Sequence, residues 1–246
     1  GACRSGLHHD GNAGGGMSLR VYTDLEQGTD EWLQARCGVL TASVIGKLLT
    51  PTGKAAKNEA ARRLVLDLLA QRISGVVEEV PQTFAMQRGH EDEIEAKLLY
   101  AQNIAPVSEV GFMAEDRFGF TIGYSPDGLV GDDGLLECKS RAHGLQLGVI
   151  CGGEVPTEYM AQIQTGLLVS GRKWLDFISF PAMGGGKMMI RRVYPDPVMQ
   201  DALIDAAMAF EGEIAAKRAE YETALKSPDL RFLETERRSM EEEIVL

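Results

Sequence analysis

The sequence predicts a single α/β (α+β) domain in which helices flank a central mixed sheet. Helical spacing of apolar residues marks both ends of the chain, and short β-like runs separated by Gly and Asp fill the centre around one inserted helix. The chain has 246 residues, of which 44% are hydrophobic, so it can bury one large core. No linker divides it into two domains.

Capping residues and apolar periodicity define the helices. Thr29 and Asp30 favour a helix start, Thr41 favours another, and Gly38 and Gly75 favour helix ends. The long helix that begins near Phe84 has an unusually polar middle, with Gly89 inside it, which is a first indication of a site. The predicted helices cover residues 30–36, 42–49, 58–74, 84–102, 157–170 and 196–225.

Six short runs have the composition of strands, and turn residues separate them. Gly and Asp pairs between neighbouring runs predict consecutive hairpins. Pro51 and Gly53, together with Lys47, Lys54 and Lys57, predict a mobile basic loop. The predicted strands cover residues 19–22, 107–113, 118–124, 135–139, 174–180 and 187–194.

Charge restricts the class of protein. The chain has 25 basic and 36 acidic residues, a net charge of −11, which argues against a uniformly basic surface that coats nucleic acid or membrane. A local basic groove remains compatible with this balance. The longest apolar runs are too short to cross a bilayer, so we expect a soluble protein without a membrane partner.

The ends and the cysteines support a cytoplasmic expectation. Four cysteines without C-x-x-C spacing indicate reduced thiols in a bacterial or phage-infected cytosol. Residues 1–16 lack the pattern of a signal peptide. They are interpreted as an added leader or a disordered arm, which leaves residues 17–246 as the folded domain.

The most informative pattern is a pair of carboxylates around a predicted hairpin. Asp127 lies in a turn and Glu137 lies in the following strand, so the hairpin can bring them to one point. Two adjacent carboxylates repel each other unless they share a divalent cation, and Mg²⁺ prefers such oxygen ligands. Lys139 points to the same face as Glu137 because strand side chains alternate. This set suits metal-assisted phosphodiester hydrolysis.

Two further segments strengthen that interpretation. The polar patch in helix 84–102 contributes Glu93, a third carboxylate. The apolar helix 157–170 carries Gln162, which shares a face with Tyr159. D-G turns and E-x-K triplets are common on surface strands, so the short pattern alone does not decide between a nuclease and an ordinary solvated hairpin.

Taken together, five ordered motifs resemble the phage-type alkaline exonucleases. This is the lambda exonuclease and YqaJ-like recombinase family within the PD-(D/E)xK nucleases, and the match runs from Glu26 to Gln164. The resemblance implies a restriction-endonuclease-like core. The motifs are Glu26-Gln27-Gly28-x-Asp30-x-Trp32-x-x-x-Arg36-x-Gly38-Val39-x-Thr41-Ala42-Ser43, Gly89-x-x-x-Glu93, Ser125-Pro126-Asp127-Gly128, Glu137-x-Lys139 and Tyr159-Met160-Ala161-Gln162-x-Gln164.

The resemblance implies a processive 5′→3′ exonuclease that degrades one strand of linear double-stranded DNA and leaves 3′ single-stranded overhangs. It implies Mg²⁺, with Mn²⁺ as a substitute, held by Asp127, Glu137 and the Cys138 main-chain carbonyl, with Glu93 nearby. Lys139 would orient or activate the attacking water, and Gln162 would help to position it.

The same resemblance implies which residues bind the DNA end and which partners the protein has. Arg36, Ser43 and Ser125 would receive the 5′-phosphate, which suits a guanidinium and two hydroxyls. Trp32 either stacks on a terminal base or belongs to the core. Partners would be double-stranded DNA ends and a single-strand annealing protein. A homotrimer ring would reconcile the charge of −11 with DNA by concentrating positive charge in its channel.

Other interpretations stay open at this stage. A Cas4-like or RecB-like nuclease shares the carboxylate core, but nothing after Cys151 is a cysteine, so the usual iron–sulfur cluster is disfavoured. A restriction-type endonuclease leaves Arg36 and Ser43 unexplained. A non-catalytic DNA-end-binding protein would not need Asp127, Glu137, Lys139 and Gln162 together.

Overall fold

Two four-stranded mixed sheets form the framework of the structure, a computed structural model that describes residues 19–50, 53–78 and 83–236. The proposed leader, residues 1–16, and Pro51 lie outside the described residues. Helices flank both sheets, so the predicted α/β class is confirmed. The single central sheet of the prediction is wrong, because the strands divide into two separate ladders.

The first sheet has the order β1-β3-β4-β2. Its pairs are antiparallel except for β2 and β4, which run parallel. The parallel pair brings the segments that follow both strands to one edge of the sheet. The strands are β1 (Arg20–Tyr22), β2 (Leu40–Thr41), β3 (Phe112–Glu115) and β4 (Ile122–Tyr124).

The second sheet has the order β5-β6-β7-β8. A parallel pair, β6 and β7, forms its centre, and antiparallel strands lie at both edges. Strand β6 carries the E-x-K motif. The strands are β5 (Gly128–Val130), β6 (Gly134–Arg141), β7 (Trp174–Pro181) and β8 (Met189–Val193).

Seven α-helices occur in the described part of the chain, and none of these is long and apolar enough to span a membrane. Two of the predicted caps are present: Thr29 accepts a backbone N–H group, and Gly75 ends its helix in the left-handed region. Thr41 precedes α2 without a side-chain capping bond, and Asn58, predicted as the first helical residue, is instead the cap of α3. The helices are α1 (Asp30–Ala35), α2 (Ala42–Ile45), α3 (Glu59–Ser74), α4 (Phe84–Asn103), α5 (His143–Gly152), α6 (Thr157–Ser170) and α7 (Pro197–Ala224).

Two apolar clusters hold these layers together. The larger one joins the first sheet to α3, α6 and α7 and reaches one face of the second sheet at Leu175 and Phe177. The smaller one packs α4 against the opposite face through Ala96, Tyr100 and Ile178. Strand β6 therefore lies between α6 and α4, and its two faces meet different helices.

Several predicted boundaries are wrong for identifiable reasons. The strand predicted at 107–113 begins only at Phe112, because Ser108 forms an isolated bridge with Leu129 of the other sheet. The strand predicted at 118–124 begins at Ile122, because Gly119, with φ of 83°, extends the preceding turn. In the predicted basic loop, Lys47 belongs to a 3₁₀ turn and only the later lysines lie beyond it.

Helix α5 was missing from the prediction. It contains three glycines and no charged residue, so neither helix propensity nor amphipathic spacing indicates a helix there. Its side facing the protein is anchored by Gln146, which is buried and bonded to both β7 and the segment before β8. Tertiary contacts thus decide the structure of this segment.

A close approach between α6 and β4 positions the centre of the molecule. A Cβ added to Gly166 would lie 2.7 Å from the Tyr124 ring, whereas one added to Gly212 of α7 meets nothing within 4 Å. Both glycines are helical, so they differ mainly in the space around them. Gly166 lets α6 lie directly against the buried tyrosine.

This contrast gives a stability prediction. We expect Gly166→Ala to lower the free energy of unfolding by about 1–3 kcal/mol, because the added methyl overpacks the Tyr124 ring. The matched variant Gly212→Ala should raise it by roughly 0.5–1 kcal/mol, because alanine favours the helix. Denaturant unfolding of both variants measures the two values. Stabilisation by both substitutions would contradict the packing described here.

Candidate active site

The two predicted carboxylates meet at the start of β5, beside the part of β6 that extends past the end of its pairing with β5. Asp127 immediately precedes β5, and its Oδ2 accepts a hydrogen bond from the Cys138 backbone N–H at 2.6 Å. Glu137 is the preceding residue on β6 and is 1% exposed. The two carboxylates meet as predicted, but the hairpin that joins them is a different one. It pairs β6 with β5, a strand missing from the prediction, whereas the predicted strand 118–124 is β4 of the other sheet.

The Asp127 carboxyl lies in an environment that opposes its charge. Burial raises its pKa well above the usual value, and the negative charges of Glu137 and Glu93 raise it further. Lys139 and the Cys138 N–H act in the opposite direction but do not compensate. The site thus carries an excess of negative charge that a cation would neutralise.

Three donors surround Glu137. Its Oε1 accepts hydrogen bonds from Lys139 Nζ and from Gln162 Nε2, both at 2.6 Å. Its Oε2 accepts one from the Tyr124 hydroxyl at 3.3 Å. Strand β6, helix α6 and strand β4 each contribute one of these donors. The structure therefore brings Glu137, Lys139 and Gln162 into one hydrogen-bonded group.

Lys139 keeps its proton in this setting. Burial lowers the pKa of its ammonium, but the carboxylates of Glu137 and Asp127 together raise it above its usual value. The ammonium also lies 5.4 Å from the centre of the Tyr159 ring. Lys139 is thus a fixed positive charge beside the two carboxylates.

Glu93 approaches the pair from helix α4. It lines a cleft of about 500 Å³ together with Asp127, Gly111 and Pro126. Its Oε1 is 3.1 Å from Lys97 Nζ, one turn further along the helix. The third predicted carboxylate therefore faces the same cleft as Asp127.

The donor set fits a small hard cation. No three Asp, Glu, His or Cys side chains within residues 19–50, 53–78 and 83–236 form a complete cage. Mg²⁺ does not need one, since one or two carboxylates and several waters usually hold it. The Cys138 N–H faces Asp127, and the carbonyl of a strand residue points to the same side as its N–H. Asp127, Glu137 and that carbonyl thus suit Mg²⁺.

A second cluster is centred on Ser125, two residues before Asp127. Ser125 accepts hydrogen bonds from the Arg36 guanidinium and from the Trp32 indole N–H, each at 3.0 Å. Trp32 also donates to the Gly111 carbonyl. The Arg36 guanidinium lies 3.9 Å above the Trp32 ring. One face of the indole is therefore covered by Arg36, and the N–H is used within the protein.

The charge of Arg36 has no acidic counterpart among the residues that the structure describes. Burial lowers the pKa of its guanidinium to about 10, so it stays protonated at neutral pH. No salt bridge is formed by Arg36 with any residue of the three described segments. A partly buried cation in this state favours an anionic ligand.

Ser43 stands apart from this cluster. It is exposed in α2, and its hydroxyl is 3.2 Å from the Thr41 hydroxyl. Strand β2 runs parallel to β4, so α2 and Ser125 follow strands that end at the same edge of the sheet. The predicted contribution of Ser43 to an anion cradle rests on this placement and not on a contact with Arg36.

The profile of the YqaJ-like viral recombinase domain matches residues 31–173. The chain belongs to the YqaJ-like viral recombinase family. Every motif residue discussed above from Trp32 to Gln162 lies within the matched region.

Solved structures agree with that assignment of this YqaJ-like domain. The alkaline exonuclease LHK-Exo from Laribacter hongkongensis is 31% identical, with a TM-score of 0.71, over 80% of this chain and 99% of the other. Its complex with dAMP gives a TM-score of 0.72 at the same identity and coverage. A phage-related exonuclease from Haemophilus somnus 129PT shares the fold at 14% identity and a TM-score of 0.50, over 73% of this chain and 96% of the other. No curated protein matches.

Two polar residues of this YqaJ-like domain were missing from the predicted site. Tyr124 bonds Glu137, and Lys97 joins Glu93 to Glu109. Tyr124 directly precedes the Ser125-Pro126-Asp127 motif, and Lys97 is four residues after Glu93 on the same helix. Proximity to a motif and i,i+4 charge pairing were therefore available signals.

The charge excess predicts an unusual response to substitution. Asp127→Asn should raise the free energy of unfolding of the metal-free YqaJ-like domain at pH 7 by about 1 kcal/mol, or roughly 2–4 °C in Tm. The amide oxygen can still accept the Cys138 N–H, while the buried charge disappears. Asp229→Asn, at an exposed position, should change Tm little.

The same prediction has a defined pH dependence. A carboxyl whose folded pKa is raised binds more protons when folded than when unfolded, so its ionisation costs stability as the pH rises above the unfolded value near 4. The gain from Asp127→Asn should therefore shrink as the pH falls towards 4. Thermal unfolding in chelator across this range tests it, and a destabilised variant at pH 7 would contradict the account.

Proposed function

We propose that this protein is a Mg²⁺-dependent 5′→3′ exonuclease that degrades one strand of linear double-stranded DNA and leaves 3′ single-stranded overhangs. The observation that carries the proposal is the position of the Arg36–Ser125 cluster two residues from Asp127. An anion site and a carboxylate pair with a lysine are thus placed side by side. The likeness to LHK-Exo, which is described as an alkaline exonuclease, supports the same reaction class.

The resident cation would be held by Asp127, Glu137 and the Cys138 carbonyl, with Glu93 available for a second ion or its water. When bound, Mg²⁺ supplies Lewis acidity to the phosphodiester and lowers the pKa of water. The pKa of Asp127 is raised first by burial and then by the charges of Glu137 and Glu93, so a positive charge bound there would favour its ionised form. Mn²⁺ would use the same oxygen ligands.

The protein's own groups prepare the reacting phosphate. Lys139, which keeps its proton, places a positive charge where negative charge develops on the phosphate oxygens. Gln162 and Tyr124 fix the carboxylate of Glu137 from two sides, so its orientation does not depend on Lys139 alone. Gln162 also carries a side-chain carbonyl that can orient the attacking water.

Arg36 determines the 5′→3′ direction of digestion. A terminal 5′-phosphate bound by the Arg36 guanidinium and the Ser125 hydroxyl fixes the end of the strand close to Asp127. Charge-assisted hydrogen bonds to phosphate are about twice as strong as neutral ones. The enzyme would therefore select ends over internal positions and 5′ ends over 3′ ends. Trp32 would act mainly by holding Arg36 and Ser125 in place.

Assembly into a homotrimer ring would keep an acidic protein on DNA. Helix α5 exposes Leu145, Leu147 and Ile150 and has no charged residue, so it offers an apolar surface for contact between protomers. Lys54 and Lys57 could then face an enclosed duplex. The resulting 3′ overhangs are substrates for a single-strand annealing protein.

The first prediction concerns catalysis. On linear duplex with Mg²⁺, the protein should release mononucleotides, and Glu137→Gln or Lys139→Ala should slow release at least a hundredfold. Glu222→Gln, on the exposed surface of α7, serves as the control. Cleavage of closed circular plasmid would favour a restriction-type endonuclease, and a gel shift without products would favour a non-catalytic DNA-end-binding protein.

The second prediction concerns the 5′ end. Wild type should digest 5′-phosphorylated duplex faster than 5′-hydroxyl duplex, and Arg36→Ala should reduce that preference about ten- to a hundredfold. Arg36→Lys should restore only part of it, because an ammonium lacks the planar fork. Arg63→Ala, on the exposed side of α3, should keep the preference. An unchanged preference in Arg36→Ala would remove Arg36 from this role.

The third prediction concerns assembly. The mass in solution should be near three times 26.8 kDa, and digestion in progress should resist competitor DNA. Leu147→Glu should dissociate the protein and abolish this resistance, because it places a charge in an apolar contact. Leu233→Glu, at an exposed position outside α5, is the control. A monomer that digests processively would exclude the ring.

A further inference from the structure

Helix α4 has little apolar packing in its N-terminal half, which extends from Phe84 to Glu93. Phe84 and Met86 are largely exposed, and the buried residues of the helix are Asp92, Ala96 and Tyr100. These three are spaced by four residues, so they form one stripe about 12 Å long that faces the second sheet. An aspartate is thus the first buried contact of this helix, directly before Glu93.

Both ends of this stripe are fixed by hydrogen bonds to carboxylates. At the far end, the Tyr100 hydroxyl donates to Asp176 of β7 at 2.7 Å. At the near end, Asp92 Oδ2 accepts from the Ser140 hydroxyl of β6 at 2.5 Å. Ala96 lies between them and contributes only a methyl group. The register of α4 on the sheet therefore depends on two polar anchors.

Asp92 also reaches a third element. Its Oδ1 accepts the backbone N–H of Met183, in the turn between β7 and β8, at 3.0 Å. Met183 adopts a φ of 62°, a left-handed conformation that is unfavourable for a side chain of this kind. Both carboxylate oxygens are thus in use, and Asp92 is 4% exposed.

The neighbours of these partners belong to the site. Asp92 directly precedes Glu93, and Ser140 directly follows Lys139, so the Asp92–Ser140 bond joins the two backbones that carry Glu93 and Lys139. We propose that Asp92 is a positioning residue that sets Glu93 at the metal site through its bonds to Ser140 and Met183. The inference rests on the proposed function, because it uses the assignment of Glu93 to the cation site.

Calorimetric titration of the full chain with Mn²⁺, in the absence of DNA, tests this role. Asp92→Ala should weaken Mn²⁺ binding about tenfold, at the lower end of what the loss of a supporting group costs. Asp92→Asn should restore it, since the amide can accept from Met183 and donate to Ser140. Ser140→Ala should show a smaller loss and also serves if Asp92→Ala does not fold.

Two controls separate positioning from general loss of structure. Tyr100→Phe removes the other anchor of α4, so it should lower Tm while leaving Mn²⁺ affinity near wild type. In a Glu93→Gln background, Asp92→Ala should have no further effect on Mn²⁺ binding. A full tenfold loss in that background, or an equal loss in Tyr100→Phe, would overturn the proposal.

The outcome also distinguishes this inference from the proposed function. Mn²⁺ binding that wild type shows and Asp127→Ala lacks supports the metal site itself. Wild-type affinity in both Asp92→Ala and Ser140→Ala would then reject only the positioning role. Absence of Mn²⁺ binding in wild type would reject both.

Discussion

The confinement of the Asp127 and Glu137 carboxylates in one poorly solvated place is the constraint on which the rest of the structure depends. Their charges oppose each other, and the surrounding groups offset this only in part. Lys139, Gln162 and Tyr124 all direct donors at Glu137. Asp127 has the Cys138 N–H, and its pKa remains raised. The metal-free site is therefore incomplete in charge, although its geometry is formed.

This constraint explains the arrangement of the neighbouring elements. Helix α6 must approach β4 closely enough for Gln162 and Tyr124 to reach the same carboxylate, and Gly166 provides that space. Helix α4 carries Glu93, but its first two turns are largely exposed. The hydrogen bonds of Asp92 to Ser140 and Met183 therefore hold this part of the helix in place. Arg36 also has an uncompensated charge, but a positive one, since it is a partly buried cation that lacks an acidic partner in the described structure. A phosphate would satisfy Arg36, and a divalent cation would satisfy the carboxylates.

Local rules were sufficient for the part of the site that lies on one hairpin. Strand alternation places Lys139 on the face of Glu137, and the turn residues around Asp127 indicate that the chain folds back toward Glu137, although strand β5 itself was not predicted. Helix periodicity gives the face of Gln162. The contacts of Tyr124 and Asp92 depend on how β4 packs on α6 and how α4 packs on β6. Their places beside the motifs make both residues candidates, but sequence spacing does not show which groups they bond. Helix α5 was missed for a related reason, because its glycines oppose the helix that Gln146 stabilises.

The central claim is that Asp127 and Glu137 hold a divalent cation. The most direct measurement is anomalous X-ray diffraction from crystals of the protein soaked in Mn²⁺. The account predicts a peak within bonding distance of both carboxylates and of the Cys138 carbonyl oxygen, and no peak there in an Asp127→Asn crystal. Ordered Mn²⁺ found only elsewhere on the protein, with Lys139 and Gln162 still bonded to Glu137, would contradict it.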